Sequence, residues 1–375
     1  MKRIIFTVIN DLSYDRRMIR ICNSLADAGY DVLLVGIGKK GSLPLEQRKY
    51  RQKRLYTPFT VRFGLYAWYN FRLLWYLLFQ QAELICCIDL DTMLPVWLTS
   101  KLKGTKRVYD AHEYFSQQKE VITRPRIYKV WHWIERKFVP RFKNGYCVSE
   151  SIIDEFKRVY GVEYELVRNI PPLKDLSPSS SQKDRIILYQ GAVNEARGLE
   201  FLVPAMKQVD TRLIIYGDGN FMDQTKELIT ANNLEAKVLL MGKVLPEELE
   251  GVTKDAYVGI NLVEYVGLNQ YYSLANKFFD YMHNGIPQLT MDFPEYKKIN
   301  DEFEVALLLQ DLSVETIAAA LNQLLDHKEL YDRLQQNCLK AREVLNWQQE
   351  EKKLLEFYKK IFNRPQGPVG GKEKK

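Results

Sequence analysis

LVEYVGLNQYYSLANKFFDYMHNGIPQLTM, Leu262–Met291, is the stretch whose reading decides the fold. The end of a strand, Gly259 to Val263, runs into a polar loop carrying Gly267, Leu268 and Asn269. Ser273 fits a helix N-cap, since a short hydroxyl side chain can accept from a free N–H of the first turn. Leu274, Phe278, Tyr281 and Met282 recur at helical spacing, Asn284-Gly285 ends the helix, and Ile286–Met291 reads as the next strand. Such a helix turns its N-terminus, with free N–H groups and the positive dipole end, toward the edge of a sheet. Asn276, Lys277 and Asp280 lie on its first turns. Lys277 and Asp280 offer a cation for phosphate and a carboxylate for sugar hydroxyls. An ordinary surface i,i+3 ion pair is the other reading of the same two residues.

The alternation of strand and helix extends outward from there. Upstream lie strand 185–190, helix 197–208, strand 212–216, helix 220–232, strand 237–241, helix 246–253 and strand 256–260. Downstream lie helices 313–325, 327–344 and 346–362. The first half has the same rhythm. Lys2–Ile9 is a β-branched apolar run, the polar turn Asn10 to Asp15 follows, and a helix with Met18, Ile21, Cys22 and Leu25 on one face ends at Gly29. Asp31–Val35, Leu84–Ile88, Arg107–Tyr109, Gly145–Val148 and Tyr164–Val167 read as further strands, with helices at 63–79, Met93–Lys101 and Arg124–Lys143. PPLKDLSPSSSQKD (Pro171–Asp184) has the composition of a linker. The expectation is two doubly wound α/β domains, 1–170 and 185–345, a linker at 171–184, a last helix at 346–362 and a disordered tail at 363–375.

A chain of 375 residues exceeds one ordinary domain. Its 46% hydrophobic and 12% aromatic content excludes a disordered chain. The formal charge of +7 suits anionic ligands or a membrane surface but is too diffuse for nucleic acid. Five cysteines with no CxxC spacing suggest a reducing compartment. The N-terminus enters a strand directly, which points to no signal peptide and a cytoplasmic protein. The longest apolar run, Phe63 to Phe79, is broken by Asn70 and Arg72 and is short for a membrane span.

Several motifs carry chemistry. YQGAVNEARGLEFL (189–202) leaves a strand through Gly191, where backbone can approach a ligand, and Arg197 can reach a phosphate. A glycine turn with a surface arginine is its plainer reading. IIYGDGNF (214–221) leaves the next strand through Gly217. VYDAHEYF (108–115) sets Asp110, His112 and Glu113 at the ligand-binding end of a strand. The D-x-D at Asp89–Asp91 has no supporting metal ligands nearby and reads as a helix-capping turn, so no metal site is expected. Two basic, aromatic segments, 39–79 and 124–143, fit a membrane interface as well as they fit a core with a solvated face.

Together YDAHEYF, YQGAVNEARGLEFL and SLANKFFDYMHNGIP resemble a bacterial family-4 retaining glycosyltransferase of the GT-B fold, over nearly the whole chain. The resemblance implies two Rossmann-like domains facing a central cleft, with the last helix crossing back to the first domain. It implies a hexosyltransferase moving sugar from a UDP- or GDP-sugar to a saccharide or lipid-linked acceptor, with no cofactor or metal; the expected location is cytoplasmic, peripheral on the inner face of the membrane if the two basic, aromatic segments face lipid. His112 would touch the donor hexose, with Glu113 beside it as a catalytic group. Arg197 and Lys277 would neutralise the diphosphate, and Asp280, at the second carboxylate of the family's Glu-x7-Glu motif, would hold the ribose. Gly191, Gly217, Gly267, Leu268, Asn269 and Asn276 would complete the donor side, and Asn10, Asp11, Arg16 and Arg17 the acceptor side. Three departures stand out: Tyr272 occupies the place of the first glutamate, Arg197 stands for a lysine, and Asn10-Asp11 replaces a glycine-rich turn. A same-fold sugar-nucleotide epimerase and a non-catalytic nucleotide-sugar-binding subunit are the alternatives.

Overall fold

A computed structural model describes residues 1–13, 15–59, 62–175 and 185–363. Most of the expected linker (176–184) and the tail beyond Asn363 lie outside them. The chain divides into two compact units, one of Met1–Asn169 with the segment from Glu350 on, the other Ile170–Gln349.

The first unit runs β1 (Arg3–Thr7), α1 (Arg16–Asp27), β2 (Asp31–Gly38), β3 (Arg51–Tyr56), α2 (Arg62–Leu78), β4 (Leu84–Ile88) and α3 (Met93–Lys103). It continues with β5 (Lys106–Ala111), α4 (Lys119–Ile122), α5 (Pro125–Phe138), β6 (Gly145–Cys147), α6 (Glu150–Tyr160) and β7 (Glu165–Leu166). Its seven strands are ordered β3-β2-β1-β4-β5-β6-β7 and all pair in parallel. The direction reverses at β1, so the loops after β1 and β4 open at a topological switch point, where doubly wound sheets bind ligands.

The second unit runs β8 (Ile187–Gln190), α7 (Leu199–Ala205), β9 (Leu213–Tyr216), α8 (Met222–Ala231), β10 (Val238–Gly242), α9 (Pro246–Asp255) and β11 (Val258–Asn261). Then come α10 (Leu268–Tyr271), α11 (Asn276–His283), β12 (Gln288–Met291), α12 (Pro294–Phe303), β13 (Ala306–Leu309), α13 (Val314–Asp326) and α14 (Lys328–Val344). Its six parallel strands are ordered β10-β9-β8-β11-β12-β13, with the switch at β8. The core strands are buried on both sides, as β1 and β4 show with nearly every residue enclosed, which is why they read as continuous apolar runs.

The last helix, α15 (Trp347–Asn363), starts in the second unit, where Trp347 N–H donates to Pro171 O (2.9 Å). From Glu350 on it belongs to the first: Arg168 N–H donates to Glu350 Oε2 (2.8 Å), Lys106 Nζ donates to Ile361 O (2.6 Å), and Tyr358 is wholly buried beside Tyr146.

Four local expectations change. Ser273 caps nothing: its Oγ donates to Gln270 O (2.8 Å), closing the short turn α10. Helix α11 starts at Asn276 behind an extended Ala275, whose N–H donates to Tyr296 Oη (3.0 Å). The basic stretch after Lys39 contains the edge strand β3, where Arg51 pairs with Asp31 (2.6 Å) on β2. Lys and Arg suit such an edge because they discourage pairing with another chain. Helix α12 and strand β13 follow β12 where no element was expected. The turn after Asp89 is a single 3-10 turn, Leu90–Thr92, that no carboxylate caps. All five cysteines are buried and unpaired. Among the described residues no helix is long and apolar enough to cross a membrane.

Candidate active site

A buried polar cluster of the first unit lies at the C-terminal ends of β4 and β5. Asp110, the penultimate residue of β5, is fully buried, a costly position for a carboxylate unless it is paired. Arg17, from the first turn of α1, supplies the partner at 2.8 Å and 3.4 Å and also donates to Val167 O (3.1 Å). Burial opposes both charges, yet the pairing leaves the Arg17 pKa raised and the Asp110 pKa lowered. Arg17 was expected on the acceptor side. Its side chain is 3% exposed and committed to Asp110, so what it touches is the support of His112.

His112 lies between two carboxylates. Its Nε2 is 3.2 Å from Asp110 Oδ2, its backbone N–H donates to Asp89 Oδ1 (2.9 Å), and its Nδ1 is 3.7 Å from Asp89 Oδ2. Burial works against the imidazolium, but Asp110 and then Asp89 overcome it and raise the His112 pKa to about 9. At neutral pH the ring is a cation and a hydrogen-bond donor, not a base. Asp89 itself is pushed up to about 7 by burial, with His112 opposing the rise. Its φ of 53° is a strained conformation for an aspartate, held by Asp89 N–H donating to Asp110 O (2.9 Å) on the neighbouring strand.

Glu113, by contrast, is exposed, and Gln118 Nε2 donates to it outside this cluster. The loop after β1 is braced rather than glycine-rich. Asp11 accepts from Arg54 of β3 (2.5 Å); against burial, hydrogen bonds from Ser42 and Ser13 and then the charge of Arg54 hold its pKa down, and exposed Asn10 donates to Asp15 (3.0 Å). Arg16 is partly buried at the start of α1. The glycine that makes room for this loop is on β2: a Cβ at Gly36 would come 2.2 Å from Leu12 and 2.9 Å from Asn10 O.

In the second unit two loops interlock. Gly191 N–H donates to Tyr216 O (2.9 Å), Val193 N–H to Asp218 O (3.1 Å), and Phe221 N–H to Val193 O (2.9 Å). A Cβ at Gly217, where φ is 158°, would fall 1.8 Å from Gly191 O, so only glycine fits. Gly191 takes φ 120° and faces open space. Gly198 (φ 72°) then turns the chain into α7, with Arg197 just before it.

Lys277 lies in the first turn of α11, at the positive end of the helix dipole, where a cation is disfavoured. Its ammonium stands 4.0 Å from the ring centre of Tyr189, the residue that precedes Gln190 on β8. Burial, then the charge of Arg197, drives its pKa well down. Neither Lys277 nor Arg197 makes a hydrogen bond or ion pair with any described residue. The surface ion pair with Asp280 is therefore not formed. Asp280 Oδ2 accepts from Gln190 Nε2 (3.2 Å), and Thr253 Oγ donates to Gln190 Oε1 (2.7 Å), so Gln190 orients the carboxylate. Gly267, in extended backbone, and Leu268 and Asn269 open the short turn α10, and Asn276 is exposed at the head of α11. Tyr189 and Gln190 had no role in the sequence reading, and Asp89 had one only as part of a helix-capping turn. Their only signal was position at a strand's C-terminal end. Among the described residues no three His, Cys, Asp or Glu side chains are placed to hold a metal ion.

Two family models match the chain: "Glycosyltransferase Family 4" over residues 15–177 and "Glycosyl transferases group 1" over residues 175–341. A search of curated protein sequences found no match. Solved structures do match. Sucrose-phosphate synthase (tll1590) from Thermosynechococcus elongatus is 18% identical with a TM-score of 0.82, covering 96% of this chain and 99% of that one. Anabaena Alr3699/HepE in complex with UDP-glucose is 13% identical, TM-score 0.75, covering 96% and 100%. WaaG, a glycosyltransferase involved in lipopolysaccharide biosynthesis, is 15% identical, TM-score 0.69, covering 93% and 98%. At these identities the likeness shows the fold, and the two family models together cover residues 15–341. The chain belongs to the family-4-like glycosyltransferases of GT-B fold.

Proposed function

We propose that the protein is a retaining, metal-independent hexosyltransferase. It takes a sugar from a UDP- or GDP-sugar and passes it to a saccharide or lipid-linked acceptor, in cell-surface polysaccharide or glycolipid assembly on the inner face of the membrane. The observation that carries this is the pair of basic side chains, Lys277 and Arg197, that make no hydrogen bond or ion pair with any described residue, with the oriented Asp280 one turn further along α11. A diphosphate supplies the missing counter-charge and a ribose diol the two donors that one carboxylate accepts. As the glycosidic bond breaks, negative charge grows on the leaving diphosphate. Lys277, Arg197 and the N–H groups of Leu268 and Asn269 stabilise it in place of a metal. His112 of the first unit, held as an imidazolium, is a hydrogen-bond donor of the kind a sugar hydroxyl accepts from. UDP-glucose in HepE and the lipopolysaccharide pathway of WaaG support the donor and acceptor classes. A screen of nucleotide sugars for thermal stabilisation, followed by assay of nucleoside diphosphate release with acceptor extracts in EDTA, tests the reading. Turnover that stops in EDTA and returns with manganese refutes metal independence. Tyr272, in place of the motif's first glutamate, favours a second reading, a non-catalytic nucleotide-sugar-binding subunit: stabilisation by donor with no release in any extract selects it.

A further inference from the structure

The helices α2, α3 and α5 cover one face of the first unit's sheet, since each connects strands by a right-handed crossover running in the same direction. They touch one another: Tyr66 of α2 meets Trp131 of α5 edge-on (5.5 Å), Trp97 of α3 meets Phe138 of α5 (5.0 Å), and Lys103 Nζ donates to Leu78 O (2.9 Å). The inner residues pack as a core should, with Tyr69, Leu73 and Leu77 wholly buried.

The outer face of α2 does not follow the rule for a solvated helix. Trp68, Phe71 and Trp75, with Phe79 in the turn just past the helix end, are spaced to fall on one side and are 40%, 55%, 51% and 76% exposed. Their rings form a ladder, each within 6.2–6.4 Å of the next. Leu102 of α3 (72%) and Val130 and Trp133 of α5 (50% and 54%) add to it. Exposed apolar area of this extent marks an interaction surface. The charges around it are one-sided. Across α2, α3 and α5 the only carboxylate is Glu135, which is 0% exposed, whereas Arg72, Lys101, Lys103, Arg126, Lys129 and Lys137 are exposed. Lys101 lies over Trp97 (5.2 Å) and Lys137 over Trp133 (4.8 Å), an arrangement of amphipathic ring and cation that suits a headgroup layer.

We propose that this three-helix face docks on an anionic lipid surface, the aromatic ladder entering the headgroup region and the cations meeting lipid phosphates. A protein partner of similar area would need its own acidic rim, whereas an anionic bilayer supplies both the apolar layer and the charge. The proposal rests on the functional reading only for the acceptor's location, so it is tested without turnover.

The test is sedimentation of the full chain with phosphatidylcholine vesicles, with and without a third of phosphatidylglycerol. The expected result is binding to the anionic vesicles only, reversed by salt. Phe71→Ser with Trp75→Ser should lower the partition coefficient at least about tenfold, by removing buried apolar area. Lys101→Glu with Lys129→Glu should do the same while leaving melting temperature unchanged. Should a variant fold poorly, quenching of the parent's tryptophan fluorescence by brominated lipid gives the same answer. No binding, or binding that both double substitutions leave intact, overturns the proposal. A dimer in light scattering that the Phe71/Trp75 substitutions dissolve overturns it in favour of a second copy. Nucleotide-sugar binding measured without lipid reports on the functional reading alone.

Discussion

Lys277→Met keeps the length and apolar stem of the side chain and removes only its charge. In the free protein that charge has little to lose. The Tyr189 ring at 4.0 Å attracts it by about 0.5–1 kcal/mol, while burial and Arg197 oppose it. The ligand-free variant should therefore match the parent in stability to within about 1 kcal/mol. With a nucleoside diphosphate bound the ammonium makes a charge-assisted hydrogen bond, about 1.5–3 kcal/mol, so the variant should bind roughly 10- to 150-fold more weakly. The lowered pKa adds a proton signature. A bound anion raises that pKa, so at any pH where the free side chain is not fully protonated calorimetry in buffers of different ionisation enthalpy should show proton uptake by the parent and less by the variant. The pH dependence has a defined sign. A lysine depressed in the folded state makes the unfolded chain bind more protons, so stability rises with pH from the folded pKa up to the ordinary lysine value. The parent should gain on the variant over that range. Unchanged diphosphate affinity together with a stability loss well above 1 kcal/mol would refute the reasoning, making Lys277 a strut on Tyr189.

Asp280→Asn should keep more donor affinity than Asp280→Ala and less than the parent, with ligand-free melting temperatures nearly unchanged; a large fall in melting temperature with intact binding would instead show a structural partner of Gln190. Gly217→Ala places a methyl 1.8 Å from Gly191 O, so it should part the two interlocked loops and cost both donor affinity and some thermal stability, as thermal shift with and without donor would report. His112, whose pKa rises to about 9, contributes stability that is complete below about pH 6.5 and lost as pH climbs through 9, at most about 3 kcal/mol. Denaturation of the parent and His112→Gln between pH 6 and 10 should show that difference closing, and a constant difference would count against the imidazolium.

What the sequence showed best was what local pattern encodes. The apolar runs of β1, β4 and β12 and the helical spacing of Phe278, Tyr281 and Met282 announce a doubly wound fold. Lys277, Asp280, Arg197 and His112 could be picked out because each sits beside a strand end. The edge strand β3 stayed hidden because its charged residues satisfy an edge, not a core. The partners of the chosen residues were equally invisible. Asp89 meets His112 across 23 residues, Gln190 meets Asp280 across 90, and Arg17 meets Asp110 across 93, pairings that the order of strands creates and no local window contains. Ser273 misled because a good cap residue also closes a preceding turn. The aromatic segments are not uniform: Tyr69 is core, and Trp75 is exposed, a difference their composition does not reveal.

The return of α15 to the first unit has a consequence for how the protein is made. Phe357 and Tyr358 close over Tyr146 (5.1 Å and 6.3 Å), and Tyr358 also reaches Phe6 (6.1 Å). On the ribosome those rings emerge only after the whole of Ile170–Gln349 has been synthesised. At about 5–20 residues per second, that intervening stretch takes roughly 10–40 seconds, during which the N-terminal sheet waits with part of its apolar surface uncovered. The second unit is continuous in sequence and can close first. Synthesis order thus inverts assembly order: the part that leaves the ribosome first is the last to be completed, and a chain stopped before Glu350 would carry an intact second unit beside an N-terminal one lacking its closing helix.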